Sequence, residues 1–155
     1  MEIGVYNGDN ARSMIEAAIK NVPPREVEYH GFDFFSYYSS RQVGRKLEET
    51  GCKYKLYEGN TLDTLPRVVK SLPLMDLIFI DGGKSYAEAV SDWENSSLLM
   101  YDVTGVFVHN VDFFGVRRMV EGVSRDDYRV DIFYAPSEGS VALIRKKSSL
   151  CARER

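Results

Sequence analysis

Several features are scarce in this chain, and each scarcity narrows what it can be. No apolar run among its 155 residues approaches the roughly 20 that a membrane helix needs. The first residues have neither a basic n-region nor an apolar h-region, so a secretory signal is not indicated and a cytoplasmic location is expected. Formal net charge is -3, with no basic field to hold a phosphate backbone, and nucleic acid is not an expected partner. The two cysteines, Cys52 and Cys151, stand far apart with no metal-like partners beside them. Free thiols in a reducing compartment are the expectation, with a disulfide left open. Neither repeats nor low-complexity segments occur, and no linker divides the chain. A single domain over residues 1–147 is expected, followed by a flexible tail over 148–155.

What is present is regular alternation. Apolar runs at 1–6, 28–33, 54–58, 75–81 and 105–109 read as strands. Between and after them, residues 10–21, 41–50, 62–72, 86–100 and 116–123 carry the 3.6-residue period of amphipathic helices. Residues 128–134 and 140–145 alternate like two terminal strands. Five βα units followed by a hairpin predict an α/β fold. The expected sheet is Rossmann-like, doubly wound, mostly parallel and seven-stranded, with helices on both faces and a C-terminal antiparallel hairpin.

In such a sheet a ligand binds beyond the carboxyl ends of the strands, so the residues following each strand are the site candidates. After the first strand comes Gly4-Val5-Tyr6-Asn7-Gly8. The glycines let backbone approach a ligand closely, but their spacing is not the G-x-G-x-x-G of dinucleotide binders. Asp33 ends the second strand, placed to accept hydrogen bonds from the hydroxyls of a ribose. The aromatic loop that begins at Phe34 and includes Tyr37 and Tyr38 can flank a purine or roof an acceptor. It can equally pack on its own domain.

The combination E-x-G-x-x-x-G after strand one and an acid after strand two resembles motifs I and II of class I S-adenosylmethionine-dependent methyltransferases. The run GVYNGDNA is similar to the G-x-Y-x-G-x-S-A turn of the catechol O-methyltransferase branch. The resemblance implies S-adenosylmethionine as cofactor. It implies that Glu2 meets the methionine amino group and that Gly4, Tyr6 and Gly8 line the methionine and ribose. Asn10 would lie near the methionine carboxylate, Asp33 on the ribose and Asn60 at the adenine, with Phe34 and Asp81 completing the pocket.

The segment IDGGKSY resembles the IDGxHxY segment of a methyltransferase subgroup, with Lys84 where histidine is common. Its D-x-x-K spacing is also that of catechol and caffeoyl-CoA O-methyltransferases. That likeness implies Asp81 as metal ligand and Lys84 as general base. His109-Asn110 stands where those enzymes place an Asp-Asn pair, so Asp81, His109 and Asn110 are the candidate ligands for Mg²⁺ or Mn²⁺. Asp112 is near enough in sequence to contribute. Imidazole in place of carboxylate removes a charge and softens the site.

The expected activity is methyl transfer to a small-molecule acceptor, most plausibly at a hydroxyl oxygen. The alternatives are a nicotinamide oxidoreductase on a similar fold and a nucleoside-binding module without catalysis. An open acceptor site makes self-association a reasonable expectation.

Overall fold

Strand β1 (Glu2–Ile3) pairs in parallel with β2 (Glu28–Asp33) on one side and with β4 (Leu77–Ile80) on the other. From β2 the sheet continues to β3 (Lys53–Glu58), and from β4 to β5 (Gly105–His109). Beyond β5 lies the antiparallel pair β6 (Tyr128–Phe133) and β7 (Val141–Lys146), with β7 on β5, giving the order β3-β2-β1-β4-β5-β7-β6. The chain runs outward from β1 to β3 and then returns to β4, so the strand order reverses between β1 and β4. That reversal opens a crevice at their carboxyl ends. The computed structural model describes residues 1–134 and 139–147; the expected tail 148–155, Cys151 and turn residues 135–138 lie outside them. No helix among the described residues is long and apolar enough to cross a membrane.

Five helices connect the strands: α1 (Asp9–Ala18), α2 (Ser40–Glu48), α3 (Thr61–Val68), α4 (Tyr86–Ser97) and α5 (Phe114–Gly122). Two of them start where a hydroxyl and a side chain three residues later cap each other. Ser39 and Gln42 open α2, and Ser85 and Glu88 open α4, an arrangement typically contributing about 1 kcal/mol. Helix α1 is shorter than its periodicity suggests, ending at Ala18 before a 3₁₀ turn at Pro24–Glu26. The expected 62–72 helix divides into α3, which carries Pro66, and a 3₁₀ turn at Val69–Ser71. Pro66 supplies no amide to the helix ladder.

The core has two parts, one on each face. Val5, Ala11, Ile15, Tyr29, Val43 and Leu47 join α1 and α2 to the β2 side. Ile3, Phe32, Leu65, Ile78, Val106, Val120 and Ile144 join α3, α4 and α5 to the opposite face. Each such fully buried aliphatic side chain contributes roughly 1.5–3 kcal/mol relative to exposure. On β4, β5 and β7 the burial alternates: Ile78, Val106, Val108 and Ile144 are buried, whereas Phe79, Phe107 and Leu143 are only half-buried. Helices therefore lie on both faces, but α1 and α2 cover mainly the half of the sheet built from β1, β2 and β3. A groove of about 550 Å³ runs between α1 and the amino ends of β1 and β4, lined by Met14, Ala18, Val22, Leu74 and Leu77. It lies opposite the crevice and contains Met1 but none of the candidate site residues.

Candidate functional site

The first strand stops at Ile3, not at residue 6, because the backbone turns left-handed at Gly4 (φ 86°), Tyr6 (φ 52°) and Gly8 (φ 79°). Phe35 (φ 53°) follows β2 and Asn110 (φ 59°) follows β5. These and Tyr6 are the non-glycine residues with positive φ among those described, and each sits just past the carboxyl end of a strand. Side chains in this region are disfavoured by roughly 1–2 kcal/mol each, and such strain concentrates where a site must be shaped.

Hydrogen bonds hold the β1 turn in place. Asp33 accepts the Tyr6 amide at Oδ2 (2.8 Å) and the Phe35 amide at Oδ1 (2.7 Å), so one carboxylate ties two strand-end turns together. The Asn7 side chain caps the start of α1 by accepting the Asp9 amide (3.0 Å). From α2, Lys46 Nζ donates to the Asn7 carbonyl (2.8 Å) and to Asp9 Oδ1 (2.6 Å). Lys46 was not among the sequence candidates. Its role depends on α2 lying beside α1, which spacing alone does not disclose.

Three candidates have side chains held by protein partners. Glu2 is 1% exposed, and its carboxylate accepts from Asn10 Nδ2 (2.7 Å) and from the Tyr29 hydroxyl. Burial pushes its pKa up, opposed by those hydrogen bonds. Glu2 therefore braces Asn10. Asn60 spends its side-chain oxygen capping α3, accepting the Leu62 amide (3.0 Å). Asp112 faces the hairpin: Ser140 donates to it from its amide (2.6 Å) and its hydroxyl (2.9 Å), holding its pKa down.

At the end of β4, Asp81 lies between two nitrogens. Lys84 Nζ bonds to Asp81 Oδ1, and His109 Nδ1 stands 3.0 Å from Oδ2. Asp81 and Lys84 are partly open to solvent, with side-chain exposures of 31% and 30%. The turn they share packs against the glycine turn: a Cβ on Gly4 would sit 2.2 Å from the Asp81 carbonyl oxygen. The structure thus brings Gly4, Asp81, Lys84 and His109 together. Tyr6 (56% exposed) and Phe34 (57%) are open on the β1 and β2 side, with Tyr38 edge-on to Tyr6 at 4.9 Å between centroids.

Away from these turns, other aromatic and imidazole side chains pair with neighbours. Trp93 packs edge-on against Tyr128 at 5.2 Å, and His30 pairs with Glu28 (2.9 Å) and stacks on Tyr57. The Tyr86 ring lies under the Arg118 guanidinium.

Asp92 on α4 is a further residue that the sequence does not single out. It is 0% exposed, directly beneath the shared turn, where a Cβ on Gly82 would meet its Oδ2 at 2.9 Å. Burial raises its pKa to about 6, with the Thr61 side chain and the Lys84 charge giving partial compensation. A raised carboxyl pKa means the folded state holds a proton that the unfolded chain has lost. Its cost therefore develops as pH rises from about 4 to about 6 and is constant above. Asp92→Asn is expected to raise stability at pH 7.5 by ~1–3 kcal/mol, with the gain fading by pH 4. Thermal melts at the two pH values check this; an equal gain at both would refute it.

Residues 1–111 match the model of a family described as a methyltransferase domain. No curated protein matches the chain. Among solved structures, the O-methyltransferase TomG from Streptomyces achromogenes, in complex with SAM, is similar with a TM-score of 0.77 and 20% identity. The match covers 95% of this chain and 72% of that one. An O-methyltransferase from Bacillus cereus in complex with SAH gives 0.73 and 18%, covering 94% and 72%. A TDP-rhamnose 3'-O-methyltransferase of calicheamicin biosynthesis gives 0.71 and 19%, covering 94% and 70%.

Proposed function

The chain belongs to the methyltransferase-domain family, and on that premise we propose that it moves a methyl group from S-adenosylmethionine to a hydroxyl oxygen of a small-molecule acceptor. One observation carries the reading. The turn after β1, in the position expected to hold the cofactor, packs directly on the turn bearing the Asp81–Lys84 pair. A ligand against Gly4 and Gly8 is therefore next to a proton acceptor. The family match favours methyl transfer over the nicotinamide alternative.

When bound, S-adenosylmethionine supplies a methyl group already activated by its sulfonium. The rest falls to this chain. The turn at Gly4, Tyr6 and Gly8 leaves room for a nucleoside. Each Asp33 oxygen accepts one backbone amide and keeps lone-pair capacity for a ribose hydroxyl. Asn10, braced by Glu2, stands in the first turn of α1, whose amides favour a carboxylate. Lys84 Nζ, in its amine form, accepts the acceptor's hydroxyl proton, and Asp81 stabilises the ammonium that results. The oxygen forms its bond to carbon as the carbon–sulfur bond breaks, with the electron pair staying on sulfur. Alignment supplies the remaining acceleration.

The divalent ion expected from the catechol-type resemblance does not fit these residues. Asp81 is paired with Lys84 Nζ, His109 at 3.0 Å from its other oxygen brings no negative charge, and no group of three His, Cys, Asp or Glu side chains among the described residues is placed to hold a metal. No step is derived through one.

Calorimetry tests the reading. S-adenosylhomocysteine should bind with micromolar affinity and NAD should give no heat, while Asp33→Ala should weaken the former by at least tenfold, about 1.4 kcal/mol. Absence of S-adenosylhomocysteine binding at millimolar concentration would overturn it. A cofactor-binding chain that transfers no label from methyl-tritiated S-adenosylmethionine to a broad hydroxyl panel would instead be the non-catalytic module.

A further inference from the structure

We propose that the acceptor site of this chain works without a divalent cation, because the carboxylate at the end of β4, Asp81, is already paired with Lys84 Nζ and its other neighbour, His109, brings no negative charge. The inference rests on the methyltransferase reading for what the site does, but its geometry stands separately. Hard cations such as Mg²⁺ require several oxygen donors converging on one point, and their affinity rises with the number of carboxylates. Here one carboxylate faces the point, and its charge is already matched by Lys84. His109, with Nδ1 at 3.0 Å from the other oxygen, adds no negative charge.

The carboxylate that follows β5 is committed elsewhere. Asp112 is held by the amide and hydroxyl of Ser140, which is 4% exposed. Asn110 lies against the hairpin: a Cβ on Gly139 would be 2.9 Å from its Nδ2, 3.5 Å from His109 Nε2 and 3.9 Å from Asp112 Oδ2. Those three side chains thus converge on Gly139 at the head of β7. The Val111 amide bonds to the Ser140 carbonyl (3.0 Å) and fastens the two segments together. A cation seeking Asp81 as a ligand would have to compete with Lys84 Nζ for it. The positive charge that favours an acceptor oxyanion comes from Lys84 itself.

The deciding residue is His109, and exchanging it tests the idea without an acceptor. Full-length chain loaded with S-adenosylhomocysteine is titrated with MnCl₂, followed by calorimetry and by the Mn²⁺ paramagnetic resonance signal. Wild type is expected to show no one-to-one site tighter than ~1 mM. His109→Asp restores a second carboxylate and is expected to tighten Mn²⁺ binding by at least about tenfold, a gain lost when Asp81→Asn is added. S-adenosylhomocysteine affinity within threefold of wild type shows that the variant is folded. A micromolar, one-to-one Mn²⁺ site in wild type that Asp81→Asn abolishes would overturn the proposal. So would a folded His109→Asp variant with no gain. Failure of wild type to bind S-adenosylhomocysteine would instead sink the methyltransferase reading, and the same titrations on the unloaded chain would still decide the metal question.

Discussion

Lys84→Met is expected to lower turnover by about 10²–10⁴-fold, the range for losing a positioned general base, with S-adenosylhomocysteine affinity nearly unchanged. Methionine keeps an unbranched apolar stem along the turn and removes only the nitrogen. The nitrogen bonds to Asp81 Oδ1, in a pair roughly one-third exposed. Losing an ion pair that open costs little stability, about 0–1 kcal/mol. A structural role and a proton-transfer role therefore separate cleanly. Lys84→Arg sharpens the distinction, since guanidinium restores the pairing with Asp81 but cannot be deprotonated. It should melt like wild type and turn over as poorly as methionine. The measurement uses labelled S-adenosylmethionine with a hydroxyl acceptor found by panel screening. Unimpaired turnover in both variants would remove Lys84 from the mechanism.

Much of the architecture is legible in the chain because its signals are local. The runs at 28–33 and 105–109 match β2 and β5 residue for residue, bounded by loop residues on either side. Strand β1 is the exception. Its apolar pattern extends to Tyr6, but strand pairing ends at Ile3: the Gly4 amide makes a last bond to the Phe32 carbonyl (2.8 Å) and the backbone there turns left-handed. Sequence position relative to strand ends also located the site turns, because the rule depends only on topology.

Side-chain direction is what the pattern withholds. Glu2, Asn60 and Asp112 are all polar residues near strand ends, and each is turned toward protein by a partner distant in sequence or by a cap: Tyr29, the Leu62 amide and Ser140. Asp92 reads as an ordinary helical acid beside Trp93, yet it is fully buried, because α4 presents that face to β1 and α3. The same limit applies to His109. Its place at the end of β5 suggests a ligand, whereas the structure sets it beside an Asp81 already paired with Lys84. A metal motif is thus less transferable than a glycine turn, since the turn needs backbone room and the metal needs several side chains to agree.

The largest loss is expected from Gly4→Ala, which should lower the melting temperature by about 5–15 °C and weaken S-adenosylhomocysteine binding by more than tenfold. Two costs add at this position. With φ at 86°, any side chain is strained, by roughly 1–2 kcal/mol. The new methyl would also lie 2.2 Å from the Asp81 carbonyl oxygen and 2.7 Å from its carbonyl carbon, and these are backbone atoms that no rotamer change can move. Relief requires separating the ends of β1 and β4, whose register is fixed by the Asp81 amide on the Ile3 carbonyl (2.8 Å). The separation would pull the glycine turn away from Asp81 and Lys84, so stability and ligand affinity should fall together. Gly122→Ala is the matched control: it ends α5, and an added Cβ there meets nothing within 4 Å. Alanine has the higher helix propensity, so this variant should melt at or above wild type with unchanged affinity. If Gly4→Ala behaved like Gly122→Ala, the two turns would not be in contact and the site built on them would fail.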